Sequence, residues 1–155
     1  MPIPPFVAEL RTLVGTRELW LSGVTAVVRR GDELLLTKRA DNGEWSPVTG
    51  IVDPGEEPGV TAARESLEEA GVEVTVDRLV SVGVIPDVVY ENGDRAAYLD
   101  LTFACTWVAG DARVADDENV DVRWWPITGL PVMTDSIRQR IDAALAGETA
   151  ARFHR

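Results

Sequence analysis

Three glutamates in one short segment of this chain are spaced so that a helix would bring their carboxylates together. Glu65, Glu68 and Glu69 stand at i, i+3 and i+4, which places them on one helical face. Like charges at this spacing repel one another, and the negative end of the helix dipole disfavours them further. Stability alone would favour Lys or Arg there, so the pattern indicates a bound cation, and carboxylates suit a hard ion such as Mg²⁺. A solvated acidic face is the alternative interpretation of this helix taken alone.

The residues around these glutamates favour a cation site over a solvated acidic face. Arg64 stands four residues before Glu68, where it can hydrogen-bond one carboxylate. The order Gly50-x5-Glu56-x7-Arg64-Glu65-x2-Glu68-Glu69-x-Gly71-Val72 resembles the Nudix box, and every charged and glycine position of that signature matches. The one departure is Ser66, at a position where the family carries a bulky aliphatic residue.

The resemblance extends beyond the box, over residues 20–146. Lys38-Arg39 at a hairpin end, the Trp45-x4-Gly50 approach and the segment from Val122 to Pro126 also look like Nudix hydrolases. This likeness implies a single α+β domain, built as an α/β/α sandwich around a mixed β-sheet. It also implies hydrolysis, with Mg²⁺ or Mn²⁺, of the pyrophosphate bond in a nucleoside diphosphate linked to another moiety. We favour a substrate of the ADP-ribose or nucleotide-sugar type.

Two other functions fit the same resemblance. One is a house-cleaning pyrophosphohydrolase that acts on nucleoside triphosphates, because the box encodes the chemistry and flanking loops encode the substrate. The other is a non-catalytic Nudix module that senses a nucleotide and regulates a partner. That module would be expected to have lost box glutamates, and none is lost here.

The resemblance also assigns roles to individual residues. It implies that Glu65 and Glu69 are the main metal ligands, with Glu68 beside them and the Gly50 carbonyl as a further ligand. Arg64 would orient a glutamate during catalysis, and Glu56 would brace the loop. For the general base the acidic loop before Val120 offers several carboxylates, and we choose Glu118 because it stands nearest the following strand; a solvated turn is the alternative. The expected substrate contacts are Arg39 and Lys38 for phosphate, and Trp20 and Trp45 for stacking on a base.

Periodicity and turn residues predict the elements that position these side chains. We expect a helix over residues 4–14, a hairpin of strands over 18–30 and 33–40, and a loop over 40–59. The glutamate helix runs over 58–70, from Pro58 to a stop at Gly71, and docks through an apolar stripe of Val60, Ala63, Leu67 and Ala70. Strands follow over 72–85, 95–108 and 120–127. A last helix over 134–146 is capped by Thr134 or Asp135 and carries an apolar face of Ile137, Ile141, Ala144 and Leu145.

Length and composition limit the number of domains and the classes of partner that the chain can have. A chain of 155 residues fits one domain, and its net charge of −11 disfavours binding to nucleic acid polymers. One cysteine, Cys105, excludes an internal disulfide and suits a cytoplasmic location, and no apolar run is long enough to span a membrane. We divide the chain into an N-terminal helix extension (1–17), a Nudix domain (18–147) and a flexible tail (148–155). The N-terminal helix carries an apolar stripe that predicts a homodimer: Phe6, Val7, Leu10, Leu13 and Val14.

Overall fold

The chain folds into one mixed β-sheet with helices on both faces. The computed structural model describes residues 3–155. In this part of the chain the helices are α1 (Pro5–Val14), α2 (Pro58–Ala70) and α3 (Asp135–Leu145), with a short 3-10 turn at Ile127–Gly129. The strands are β1 (Leu19–Arg30), β2 (Glu33–Arg39), β3 (Trp45–Ser46), β4 (Val48–Ile51), β5 (Glu73–Val89), β6 (Arg95–Ala109) and β7 (Asn119–Pro126).

The sheet has the order β3-β2-β1-β6-β5, with β4 paired to β1 and β7 paired to β2. Strands β1 and β6 run parallel, from Leu19 opposite Ala96 to Arg29 opposite Thr106. The other strand pairs are antiparallel. The β1–β2 hairpin spreads apart after its tight turn, and β4 pairs with β1 in the part of the strand that β2 leaves free. This opening brings the loop before α2 beside the centre of the sheet.

Alternation along β2 separates the two faces of the sheet. Leu35 belongs to a buried cluster that includes Ala62 and Ala70 of α2. Its neighbours Leu34 and Leu36 belong to a second cluster on the other face, together with residues of α3. Helix α1 forms a third cluster, in which its Val7 is buried against β1 and β6. Because α2 and α3 cover opposite faces, the predicted α/β/α sandwich is confirmed.

One local prediction was wrong. The segment 40–59 contains two short strands, β3 and β4, where the sequence predicted only loop. Turn-forming residues dominate this stretch, but backbone pairing with β1 and β2 needs no apolar pattern.

The flexibility of the C-terminal tail stays a prediction. One residue of the tail, Arg152, exchanges backbone hydrogen bonds of 2.9 Å each with Val80 and Val82 of β5.

Helix α2 has the predicted bounds but presents a different face to the sheet. Val60 and Leu67, from the predicted docking stripe, are 57% and 51% exposed. The buried face consists instead of two alanines and four polar residues, namely Thr61, Ala62, Glu65, Ser66, Glu69 and Ala70. The helix is therefore rotated so that two of the three glutamates face inward.

The N-terminal helix α1 buries only part of its apolar stripe on its own chain. Val7 is 4% exposed, whereas Leu10 is 37% and Leu13 78% exposed. Arg11 fixes the end of the helix by donating to the carbonyls of Gly15 and Arg95, at 3.1 and 2.7 Å. No helix within residues 3–155 is long and apolar enough to cross a membrane.

Candidate metal centre and active site

Local sequence fixes the helix that carries the glutamates. Pro58 lies in the first turn of α2, where its missing N–H costs nothing. Gly71 ends the helix in the left-handed conformation, with φ 70°, and donates to the Leu67 carbonyl at 3.0 Å. A Cβ at this position would meet only the exposed side chain of Arg113, which can move aside, so the left-handed backbone is the reason for glycine here.

Arg64 holds the entrance loop against the glutamate helix. Its Nε and Nη2 donate to the two carboxylate oxygens of Glu56 at 2.9 and 3.0 Å. Its Nη1 donates to Glu65 Oε1 at 2.9 Å and to Glu68 Oε2 at 3.0 Å. Thr61 also donates to Glu56, at 2.7 Å. The bonds from Arg64 lower the pKa of Glu56 to about 2, so this carboxylate is ionised at every physiological pH.

Glu65 is the most deeply buried acid of the group and lies directly against Gly50 of β4. Its side chain is fully buried, and a Cβ on Gly50 would come within 2.3 Å of Glu65 Cγ. Any other residue at position 50 would displace the carboxylate. Burial raises the pKa of Glu65 to about 7, against the charge and hydrogen bond of Arg64. Its second oxygen, Oε2, is buried without a hydrogen-bond partner, which is costly unless a cation or water meets it.

Glu69 lies one helical turn further and has a different partner. It is 3% exposed, and its Oε2 accepts a hydrogen bond from Asn119 Nδ2 at 3.0 Å. Burial and the nearby charge of Glu118 raise the pKa of Glu69 to about 9, while the Asn119 bond opposes that rise. Glu68, by contrast, is 43% exposed in its side chain. The three glutamates therefore divide into two buried acids and one at the surface.

The acidic loop before β7 reaches the same place. Its backbone is tied to the end of α2, because Ala115 N donates to the Glu69 carbonyl at 3.1 Å and Arg113 N to the Ala70 carbonyl at 3.0 Å. The charge of Glu118 raises the pKa of both Glu65 and Glu69, so it lies near both carboxylates. The Glu118 carbonyl accepts from Ala40 N at 2.8 Å, which joins the loop to the end of β2.

Arg39 at the end of β2 belongs to this neighbourhood. It pairs with Asp41 through two hydrogen bonds of 2.9 and 2.7 Å. That ion pair raises the pKa of Arg39, and the charge of Glu118 adds to the effect. A guanidinium beside the carboxylate cluster is suited to binding phosphate oxygens.

The other predicted substrate contacts lie elsewhere. Lys38 and Trp45 are on the α3 side of the sheet, where the Lys38 ammonium is 6.0 Å from the Trp45 ring and Trp45 packs edge-on against Trp125. Trp20 is 60% exposed on β1. By alternation it shares the α2 face with Val24, the residue that pairs with Gly50. Of the four predicted contacts, the structure brings Arg39 near Glu118 and places Lys38 and Trp45 on the α3 side of the sheet.

The side chains present fit a hard divalent cation by their chemistry. Glu65 offers a buried oxygen without a partner, and Glu68 and Glu69 add carboxylates on the same helix. Within residues 3–155, no three acidic, histidine or cysteine side chains are arranged closely enough to hold a metal ion as they stand. Arg64 and Asn119 engage one oxygen on each of the three glutamates.

Comparison with known families decides the identity of this site. Residues 20–145 match the model of the NUDIX domain. The chain belongs to the Nudix family. Nudix proteins of this kind are pyrophosphohydrolases, so the predicted family and reaction class are confirmed, and divalent-metal dependence and nucleotide-type substrates are typical of the family. Among curated proteins, no sequence matches the chain significantly.

Solved structures share the Nudix fold at low sequence identity. A NUDIX hydrolase from Nitrosomonas europaea is 26% identical with a TM-score of 0.68, over 83% of this chain and 90% of the other. An ADP-ribose pyrophosphatase from Streptococcus suis is 19% identical with a TM-score of 0.65, over 85% and 96%. A MutT NUDIX hydrolase from Burkholderia pseudomallei is 24% identical with a TM-score of 0.63, over 81% and 98%. The last two likenesses show the fold alone.

Sequence reasoning missed two residues of this Nudix site. Thr61 supports Glu56, and Asn119 contacts Glu69. Nothing in the spacing of Thr61 marked it. Asn119 directly follows the acidic loop at the start of β7, and a polar residue leading into a half-buried strand was the available signal.

Proposed function

We propose that this Nudix protein hydrolyses the pyrophosphate bond of a nucleoside diphosphate linked to a second group, with Mg²⁺ or Mn²⁺ as cofactor. The observation that carries the proposal is the pair of buried glutamates, Glu65 and Glu69, of which Glu65 keeps one buried oxygen without a partner. Burying an ionised carboxylate costs several kcal/mol without compensation. A divalent cation supplies that compensation.

The cation would be held by Glu65, Glu69 and Glu68, with the Gly50 carbonyl as a further ligand. When bound, it neutralises the diphosphate charge and activates the attacking water. Arg64 keeps Glu65 and Glu68 oriented through its shared Nη1. Glu56 anchors Arg64 in turn, and thereby fixes the loop between β4 and α2.

The remaining charged residues would act on the substrate. Arg39, at the end of β2, binds a phosphate oxygen. Glu118 is the proposed general base: it accepts a proton from the water, whose oxygen attacks one phosphorus in line. The bond from that phosphorus to the bridging oxygen breaks, and the bridging oxygen leaves with the second phosphate. No covalent intermediate on the protein is required, and Cys105 is unsuited to form one because burial raises the pKa of its thiol to about 12.

A large substrate on both sides of the diphosphate is the form we favour. Trp20 is exposed on the α2 face of β1, four residues from Val24, which is roughly 13 Å along an extended strand. An exposed indole at that distance can stack on a base or sugar beyond the phosphates. One solved neighbour is described as an ADP-ribose pyrophosphatase. Nucleoside triphosphates are the competing substrates to assay, because the loops that flank the box set the substrate.

The experiment is a substrate screen with Mg²⁺ or Mn²⁺ and with EDTA as control. We expect ADP-ribose or a nucleotide sugar to give a nucleoside monophosphate and a sugar phosphate, and EDTA to abolish turnover. Release of pyrophosphate from triphosphates with no action on ADP-ribose would identify the house-cleaning activity instead. Saturable nucleotide binding without turnover would indicate a sensing module, and full turnover in excess EDTA would overturn the metal mechanism.

We also propose a homodimer whose interface includes the apolar surface of α1 that its own chain leaves exposed. Leu13 is 78% exposed although it belongs to the apolar stripe. Deletion of residues 1–17 should convert a dimer to a monomer, as measured by light scattering. A full-length chain with monomeric mass at tens of micromolar would contradict the dimer.

A further inference from the structure

The two buried glutamates of α2 are each held by one donor, and the two donors differ in charge. Glu65 accepts from Arg64, a neighbour on the same helix. Glu69 accepts from Asn119, which is 50 residues away in sequence and begins β7. The proposed function gives Arg64 the role of orienting Glu65 and Glu68, and it gives Asn119 no role.

A β-bulge aims Asn119 at the helix. On β2 the pairing passes from Lys38 to the next residue, Arg39, while on β7 it passes from Asp121 to Asn119. Val120 is therefore the extra residue, and it is 61% exposed, whereas Asn119 is 6% exposed. A bulge of this kind reorients the side chains beside it, and here it turns an amide inward onto Glu69.

The position of this amide is held from several sides. The loop that precedes Asn119 is tied to α2 by the hydrogen bond from Ala115 N to the Glu69 carbonyl, 3.1 Å long. The residue before Asn119 is tied to the end of β2 through Ala40. The backbone and the side chain of Glu69 are thus both bound to the same seven-residue approach to β7, Arg113–Asn119, so the carboxylate has little freedom to rotate.

An uncharged donor is chemically apt for orienting a carboxylate toward a cation. The amide bond uses Glu69 Oε2 and leaves Oε1 available. An amide donor orients the Glu69 carboxylate without adding positive charge beside the cation, whereas Arg64, which orients Glu65 and Glu68, does add positive charge. Residues that hydrogen-bond a metal ligand in this way typically change metal affinity or activity 10–100-fold when they are removed.

We propose that Asn119 is a positioning residue that fixes the Glu69 carboxylate for divalent-cation binding. The inference rests on the proposed metal-dependent function. Asn119 makes no contact with substrate in this role. Loss of its amide is therefore expected to weaken cation binding more than it lowers kcat at saturating cation.

The test measures Mn²⁺ binding to the protein alone, without nucleotide, by isothermal titration or by the electron paramagnetic resonance signal of free Mn²⁺. Asn119→Leu keeps a side chain branched at Cγ, with a larger volume, and removes the donor, whereas Asn119→Ala removes both the bulk and the donor. We expect both variants to bind Mn²⁺ at least 10-fold more weakly than the parent. Asn92→Ala, which removes an amide from the β5–β6 turn, is the matched control and should bind like the parent.

The Mg²⁺ dependence of turnover is a second, independent measurement of cation binding. In Asn119→Leu the Mg²⁺ concentration for half-maximal turnover should rise at least 10-fold, while kcat at saturating Mg²⁺ falls less. Parent-like Mn²⁺ affinity in Asn119→Leu, with loss only in Asn119→Ala, would show that Asn119 merely fills space and would overturn the proposal. A parent protein that binds no Mn²⁺ at millimolar concentration would instead overturn the metal centre itself, and with it the basis of this role.

Discussion

The helices α2 and α3 cover opposite faces of one sheet and bury opposite kinds of side chain. Helix α3 packs as its sequence predicts, with Ile137 and Ile141 buried against β1 and β2. Helix α2 leaves Val60 and Leu67 exposed and turns Glu65 and Glu69 inward. Both helices are amphipathic, so amphipathicity alone does not decide which side of a helix faces the core.

The proposed cation binding would explain why α2 buries carboxylates at a cost in stability. Carboxylates buried on α2 cost free energy in the absence of a cation, and their position near the helix C-terminus adds to that cost. Small residues, Ala62 and Ala70, provide the close packing that lets the helix approach the sheet. Helix α3 contributes stability by apolar burial and by a part-buried hydrogen bond of 2.7 Å from Arg140 to Thr25.

The largest expected effect concerns apolar packing and contrasts the two helices directly. Ile141 of α3 is fully buried, so Ile141→Ala should lower the free energy of unfolding by about 2–5 kcal/mol. Leu67→Ala on α2 removes a comparable side chain from a half-exposed position and should cost under about 0.5 kcal/mol. Urea denaturation of both variants measures this. Equal losses would mean that α2 also docks through its apolar stripe.

The next prediction concerns the inward carboxylate. Glu69→Gln should lower turnover by at least ~10²-fold, about 2.7 kcal/mol of transition-state stabilisation, because a charged cation ligand is lost. The unfolding free energy of the metal-free protein should stay the same or rise, since a buried acid is neutralised. Asp142→Asn on α3 removes an exposed carboxylate paired with Arg138 and is the control, with turnover unchanged. Normal turnover with lower stability in Glu69→Gln would make Glu69 a structural residue.

The site was more predictable from sequence than the packing that supports it. Spacing alone puts the three glutamates on one face of a helix, and the resemblance to the Nudix signature supplied the roles expected of Arg64 and Gly50. The orientation of α2 was not predictable, since Val60 and Leu67 form a better apolar stripe than the face that is actually buried. The contact of Asn119 with Glu69 was not predictable, because it depends on a β-bulge between β2 and β7, which are distant in sequence.

A smaller, pH-dependent effect is expected from Glu56, which anchors Arg64 on α2. The pKa of Glu56 is lowered from 4.5 to about 2, so its ionised form stabilises the folded protein above pH 4.5. That contribution is lost as the pH falls from 4.5 toward 2. Glu56→Gln should therefore cost about 1–3 kcal/mol at pH 7 and almost nothing near pH 2. Denaturation curves across this range measure the difference, and a cost independent of pH would show that charge is not its cause.

The smallest effect is expected from Ser66→Ala, which tests whether the buried side of α2 needs a polar side chain other than its carboxylates. Ser66 is fully buried and donates to the Ala62 carbonyl at 2.8 Å. That carbonyl also accepts the backbone N–H of the helix, so Ser66→Ala leaves no orphaned acceptor. The better helix propensity of alanine offsets the lost bond, and the net change should lie within about 0.5 kcal/mol.

The matched variant at this position restores the bulk that the Nudix signature expects. Ser66→Leu should cost about 1–3 kcal/mol, because the position has no exposed surface and the helix lies close to the sheet through Ala62 and Ala70. Thermal unfolding and Mn²⁺ titration of both variants are the measurements. Stabilisation by leucine would show that α2 has room to dock by apolar contact, and the contrast with α3 would then reflect an unfilled position instead of a functional constraint.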